Sequence, residues 1–292
     1  MGNDWHTRTA LACDIGRKRR NNEDYALACE PEASSLQQSK GHLYIVADGI
    51  GGGAGGEIAS RFAALAVAFH YYDSPASPSR SLHSAIARAN DSLYRYAHTH
   101  ARLATMGTTI VCAAVQDDHL YVAHAGDSRA YLLRNGNVRL LTEDHNLAAQ
   151  LAREGLISRE QASHHPQRHL LLRSLGGEST VSPDFAEARL QPQDAVILCS
   201  DGLTRHVDEA ELAAICAQSP EPQEAVRTLV ELANSRGGED NIAVILARWD
   251  RGPLATPRAH GVLAAPPEQE PTVEAVIAAL AEPSPYRTSH SS

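Results

Sequence analysis

The chain has no CxxC pair, no internal repeat, no apolar run of membrane-spanning length and no excess of positive charge. Each absence removes a class of function. The cysteines Cys13, Cys29, Cys112, Cys199 and Cys216 are five, an odd number. Cys13, Cys112 and Cys199 sit in apolar, strand-like runs, which points to reduced core thiols and a cytosolic setting rather than a disulfide framework. The net charge of -9 gives no bulk attraction for nucleic acid or an anionic membrane. The first residues, Met1-Gly2-Asn3-Asp4-Trp5-His6, lack the apolar core of a secretory signal. His6 also stands where the N-myristoylation pattern needs Ser or Thr. The fifteen histidines include His164-His165 and His98-Thr99-His100, yet no partnering Cys/His set makes a zinc site of them. A soluble, cytoplasmic protein without nucleic-acid or membrane partners is expected.

What is present is a globular composition, 43% hydrophobic and 21% charged over 292 residues. Strands are expected at 7–29 (two, around a basic loop), 42–48, 108–115, 120–125, 129–134, 138–141, 185–190, 194–200 and 242–249. Helices are expected at 57–72, 81–100, 208–217 and 221–235, and a polar helix-and-loop stretch at 146–177. In the second of these, Leu82, Ile86, Ala89, Leu93 and Tyr96 recur at helical spacing. Asn135-Gly136-Asn137 is a strong hairpin signal. Strands in runs with helices in pairs argue for an α+β domain, with sheets packed together and helices outside. That domain spans 1–249. A Pro-rich linker follows at 250–271, then a tail, 272–292, with a short amphipathic helix carrying Val273, Val276, Ile277 and Leu280 on one face. A helix so short must pack on something, and docking on its own domain is favoured over a partner.

The chemistry lies in acidic residues at the ends of apolar runs. Leu43 to Ala47 runs into Asp48-Gly49, and Ala195 to Ser200 runs into Asp201-Gly202. Glu239-Asp240-Asn241 precedes the apolar run from Ile242 to Leu246. Buried strands deliver side chains to fixed places, and converging carboxylates need counter-charge. Asp48, Asp201 and Asp240 are therefore the expected metal ligands, with the Gly49 carbonyl for a second ion and Glu23 acting through water. Carboxylates, carbonyls and water suit Mg²⁺ or Mn²⁺ better than Zn²⁺. Two such ions roughly 3.5–4 Å apart can share a bridging hydroxide that attacks phosphorus in line. In the basic loop Arg17 to Arg20, Arg19 is the candidate to clamp a phosphate.

Arg19-Arg20-Asn21-Asn22-Glu23-Asp24 resembles the RxxNED motif of the metal-dependent protein phosphatases (PPM, type 2C Ser/Thr phosphatases). Further motifs follow in that family's order: Asp48-Gly49-Ile50-Gly51-Gly52, Gly56-Glu57-Ile58-Ala59-Ser60, Met106-Gly107-Thr108-Thr109, Gly126-Asp127-Ser128-Arg129, Leu141-Thr142-Glu143-Asp144-His145, Ser200-Asp201-Gly202-Leu203 and Gly238-Glu239-Asp240-Asn241. The resemblance covers roughly 7–248 and is to the compact bacterial branch. It implies an αββα sandwich of two antiparallel sheets, with a dinuclear site between them. It further implies Asp48 as the bridging ligand and Asp201 and Asp240 on the first ion. Glu23 and Asp24 would order metal-bound waters, and Asp127 with Asp201 would hold a third, weaker ion. It identifies 144–177 as a flap beside the substrate cleft. The implied activity is hydrolysis of phosphoserine and phosphothreonine on proteins, with no phosphoenzyme intermediate, reversing a bacterial Ser/Thr kinase.

Three positions depart from the family pattern, one of them Gly53, where bacterial members often have His. Ile50 stands where His or Met is common, so no histidine acts as general acid there and metal-bound water must protonate the leaving oxygen. His169 stands where Asn is usual.

Two rival readings remain in view. Cys13-Asp14-Ile15-Gly16-Arg17-Lys18-Arg19 fits the CxxGxxR loop of cysteine phosphatases. That chemistry needs a low-pKa thiolate at a helix N-terminus, whereas here the loop runs into acids and a strand. Cys13 is read instead as a core strand residue. The other rival is a phosphoprotein-binding pseudophosphatase, whose signature would be lost metal acids.

Overall fold

A computed structural model describes residues 5–31, 34–51, 54–251, 263–264, 267 and 269–281. In chain order the elements are β1 (Trp5–Asp14), β2 (Asp24–Cys29), α1 (Ser34–Lys40), β3 (His42–Ile50), α2 (Ala54–Asp73) and α3 (Pro78–Thr99). After them come β4 (Gly107–Thr108), β5 (Ile110–Gln116), β6 (His119–Ala125), β7 (Arg129–Arg134), β8 (Asn137–Leu140), α4 (Leu147–Arg153) and α5 (Arg159–Ser163). The rest are β9 (Asp184–Arg189), β10 (Ala195–Cys199), α6 (Asp201–Thr204), α7 (Glu209–Gln218), α8 (Pro222–Ser235), β11 (Ile242–Arg251), β12 (Leu263–Ala264) and α9 (Val273–Ala281).

The strands form two sheets, one ordered β1-β11-β10-β7-β8 and one ordered β12-β2-β3-β5-β6-β9, with β4 added to β3. Pairing is antiparallel except between β12 and β2. Strand periodicity explains how the sheets stack. On β3, Leu43 and Ile45 face the core under α2 and α3, while Tyr44 and Val46 face the core between the sheets. On β10, Ile197 and Cys199 face α6 to α8, while Val196 and Leu198 join the inter-sheet core. Central strands buried on both faces read as unbroken apolar runs, which is why they stood out in the sequence. The expected αββα sandwich is the observed one.

The helices follow their apolar stripes. α3 buries Leu82, Ala85, Ile86, Ala89 and Leu93, a 3.6-residue repeat. α7 starts with a reciprocal capping box between Asp208 and Glu211. The hairpin joining β7 and β8 turns through Asn135 (φ 52°) and Gly136 (φ 75°), the paired positive φ angles of a type I′ turn. Four features went unread in the sequence: α1, the one-turn α6, β12 within the expected linker, and a short 3-10 turn at Ala101–Leu103. The tail helix α9 lies on α2, with Val273 and Val276 in its core and Glu270 Oε1 3.2 Å from His70 Nε2. Among the described residues, no helix is long and apolar enough to cross a membrane.

Candidate metal centre

The acids gather where strands of both sheets end. Asp48 shares the parity of Tyr44 and Val46, so it extends the inter-sheet face of β3, and Asp24 lies directly opposite it on β2. Asp201 opens α6 immediately after β10, and Asp240 precedes β11, the neighbour of β10. Asp127 closes the turn between β6 and β7. Asp24, Asp127, Asp201 and Asp240 all act electrostatically on Asp48. Burial first, and then the charges of Asp24 and Asp201, push the Asp48 carboxyl well above its usual range. Asp24, Asp127 and Asp201 are also raised, with desolvation the leading cause in each. In Glu23, raised as well, desolvation outweighs the favourable charge of Arg19.

Several contacts hold this arrangement. Asn241 Oδ1 accepts from the Glu23 amide at 2.8 Å, and its Nδ2 donates to the carbonyls of Ile15 and Asn21. The N-terminal loop is thereby tied to the Asp240 turn. Thr109 Oγ1 accepts from the Asp48 amide at 3.0 Å and lies 2.7 Å from Ser128 Oγ. Gly49 is packed so closely that a Cβ there would stand 2.2 Å from the Gly56 carbonyl oxygen.

Two cations reach the acids. Arg19 Nη2 lies 2.8 Å from the Asp240 carboxylate. Arg205 bonds Asp240 at 2.9 Å and also binds Asp201, one helical turn before it. Sequence reading missed Arg205, because it took Asp201 for a turn residue and so did not look four positions on for its helical partner.

Whether divalent cations fit can be judged from the oxygens. Asp24 Oδ2 and Asp201 Oδ1 are buried with no hydrogen-bond partner. A buried, unpartnered carboxylate oxygen among like charges is costly unless a cation meets it. An all-oxygen set suits hard ions such as Mg²⁺ or Mn²⁺. The residues fit the ions that the sequence implied.

A second group, His124, His145 and Asp184, has metal-ligand chemistry and ligand atoms within 4.8 Å of one another. Its geometry opposes an ion. The two imidazoles stack with centroids 4.5 Å apart. Arg173 Nη1 already sits 2.6 Å from Asp184 Oδ1 and 3.2 Å from His145 Nε2. His145 Nδ1 accepts the Gly126 amide. The cluster is instead an anchor for 144–177. His145 and Arg173 come from the two ends of that segment, and the Leu172 amide donates to the His145 carbonyl at 2.7 Å. Arg129 grips Asp144 at the segment's start through two bonds of 2.8 Å.

Burial, helped by the nearby His124 and Arg173 and opposed by Asp184, lowers the His145 pKa to about 4. A depressed histidine contributes stability that is present above its unfolded pKa and is lost as pH falls toward the folded value. The anchor is therefore expected to weaken between about pH 6.5 and 4, by at most ~3 kcal/mol. The protection factor of the Leu172 amide, its exchange rate corrected for the intrinsic pH dependence, should fall at pH 5 relative to pH 7.5. Equal protection at both pH values would contradict it.

Cys13 departs from expectation. It lies on β1, an edge strand, and is exposed rather than part of the core. Desolvation and the nearby Asp24 charge both raise the thiol, and at so exposed a position the direction rests on the acid. No helix N-terminus follows it, since the chain runs through a loop into β2. A thiol held there is a poor nucleophile.

Comparison with known proteins agrees with this geometry. The model of the protein phosphatase 2C family matches residues 11–153. The serine/threonine phosphatase stp of Listeria innocua is 39% identical over 238 residues, covering 80% of this chain and 92% of that one. The crystal structure of the PPM Ser-Thr phosphatase MsPP from Mycobacterium smegmatis, in complex with cacodylate, is 37% identical with a TM-score of 0.70. It covers 84% of this chain and 98% of that one. The catalytic domain of the phosphatase PstP in complex with two manganese ions is 33% identical, with a TM-score of 0.73 and coverage of 84% and 99%. The sandwich, the ordered motifs and these relatives together place the chain in the protein phosphatase 2C (PPM) family, as a bacterial-type serine/threonine protein phosphatase.

Proposed function

We propose that the protein hydrolyses phosphoserine and phosphothreonine on cytoplasmic proteins directly, with no phosphoenzyme intermediate, and reverses the action of a bacterial Ser/Thr kinase. The observation that carries this reading is the convergence of Asp24, Asp48, Asp127, Asp201 and Asp240 between the two sheets, with two buried carboxylate oxygens unpartnered. Asp48, Asp201, Asp240 and the Gly49 carbonyl would hold two Mn²⁺ or Mg²⁺ ions, and Asp127 with Asp201 a third, weaker one. When bound, such ions lower the pKa of water and neutralise phosphate charge.

The remaining steps belong to the chain's own residues. Arg19, half exposed beside Asp240, would swing its guanidinium fork onto the substrate phosphate. Glu23 and Asp24 would orient water by accepting hydrogen bonds from it. Ile50 offers no proton, so the proton for the leaving oxygen would have to come from water held in the site.

Both rival readings lose support. All the acids that a pseudophosphatase would have lost are present. The thiol mechanism lacks an activated thiolate. Phosphate release from a phosphothreonine peptide, followed for the wild type and for Cys13→Ser, tests the proposal. Equal turnover by both is the expected result, and an inert Cys13→Ser variant that is still folded would return the chemistry to the thiol.

A further inference from the structure

Beside the acid cluster lies a cleft of about 1090 Å³. Asp127, Asp144 and Asp201 are in its lining, and one part of its wall comes from α4, α5 and the loop after them. In a chain of net charge -9, this wall presents Arg153, Arg159 and Arg168.

The charges that line the cleft are unevenly partnered. Asp127 and Asp201 belong to the metal centre. Asp144 is held by Arg129 through two bonds. Asp208 caps α7, and Glu211 pairs with Arg236 at 2.7 Å. Glu143 reaches Arg153 only at 3.6 Å. Arg168 donates from Nη1 to the Ser163 carbonyl, and among the described residues it meets no carboxylate. Arg159, at the first position of α5, has no hydrogen-bond or ion-pair partner among the described residues. Apart from the loosely held Glu143, the acids facing the cleft are engaged, while the guanidinium groups of Arg159 and Arg168 meet no carboxylate among the described residues. Arginine forks left open beside a phosphate-processing centre suit a planar carboxylate or a phosphate.

We infer that this wall is a docking subsite for an anionic flank of the phosphoprotein substrate, formed by carboxylate side chains or by a second phosphate, with Arg159 and Arg168 as its principal contacts. The inference rests on the phosphatase reading and narrows it to phosphoproteins whose phosphorylated residue lies in acidic or multiply phosphorylated sequence. Rim charges of this kind act on encounter and selection, so their effect should fall with added salt.

The test uses the full chain loaded with Mn²⁺ and peptides that share one phosphothreonine. Their flanks are neutral, glutamate-rich, arginine-rich, or carry one non-hydrolysable phosphonate. Wild type should favour the glutamate or phosphonate flank over the neutral one by roughly tenfold in kcat/KM at low salt. The ranking of those two arms distinguishes carboxylate from phosphate as the ligand. Arg159→Glu/Arg168→Glu should abolish that preference and shift it toward the arginine-rich flank. A wild type that treats all flanks alike, or a charge-reversed variant that keeps the wild-type ranking, overturns the subsite alone. If the charge-reversed protein does not fold, Arg159→Gln and Arg168→Gln, measured singly, should each reduce the preference, and an unchanged ratio in both overturns it. Hydrolysis of none of the peptides by wild type would sink the phosphatase reading and the subsite with it.

Discussion

Asp48→Asn is expected to lower hydrolysis of a phosphothreonine peptide by roughly 10³-fold while leaving the fold intact. Asp48 is the acid on which the charges of Asp24, Asp201, Asp127 and Asp240 all bear. An amide of the same shape removes one charge from a buried cluster of like charges. The metal-free variant should therefore unfold at the same denaturant concentration as wild type or a higher one. Loss of activity with gain of stability is what a site held under electrostatic strain for its function should show. Retention of activity within tenfold would remove Asp48 from the centre. A large loss of stability would mean that the residue serves the fold.

Gly202→Ala is expected to unfold the protein more readily by about 3 kcal/mol or more and to inactivate what remains folded. A Cβ at Gly202 would stand 1.9 Å from the Asn241 carbonyl oxygen and 2.9 Å from its carbon, both backbone atoms. Neither can yield without moving the strand behind it. The strain would separate the start of α6, which carries Asp201, from the turn that carries Asp240. It would also pull on Asn241, whose side chain ties that turn to the N-terminal loop through three hydrogen bonds. Chemical denaturation and phosphatase assay at saturating Mn²⁺ measure the two effects. A change below 0.5 kcal/mol, the usual scale for an uninvolved surface site, would show that the loop moves freely.

Much of this architecture was legible because its causes are local in sequence. β3, β10 and β11 are buried on both faces and so announce themselves as apolar runs. The Asn135-Gly136 pair dictates a turn by its tolerance of positive φ. The acids could be found because strand ends fix them. Features that depend on partners distant in the chain were not legible. α6 is four residues long, too short to show a period, and its Arg205 acquires meaning only when β11 brings Asp240 beside it. Cys13 follows the apolar pattern of β1, yet it stands near the end of an edge strand, where the packed layer has stopped. Leu263–Ala264 pairs with β2 inside a Pro-rich stretch that local composition marks as a linker. His145 belongs to a motif legible in the sequence, but its partners Arg173 and Asp184 are set by tertiary folding.

The most direct test of the central claim, that these carboxylates form a centre for divalent cations that hydrolyses phosphoproteins, is a calorimetric Mn²⁺ titration of EDTA-stripped protein, run beside phosphate release from a phosphothreonine peptide. The account predicts at least two bound Mn²⁺ per chain in wild type, no hydrolysis before addition, and activity rising as the sites fill, with both responses lost or greatly weakened in Asp48→Asn. Hydrolysis that persists in EDTA, or Mn²⁺ binding that Asp48→Asn leaves untouched, would contradict it.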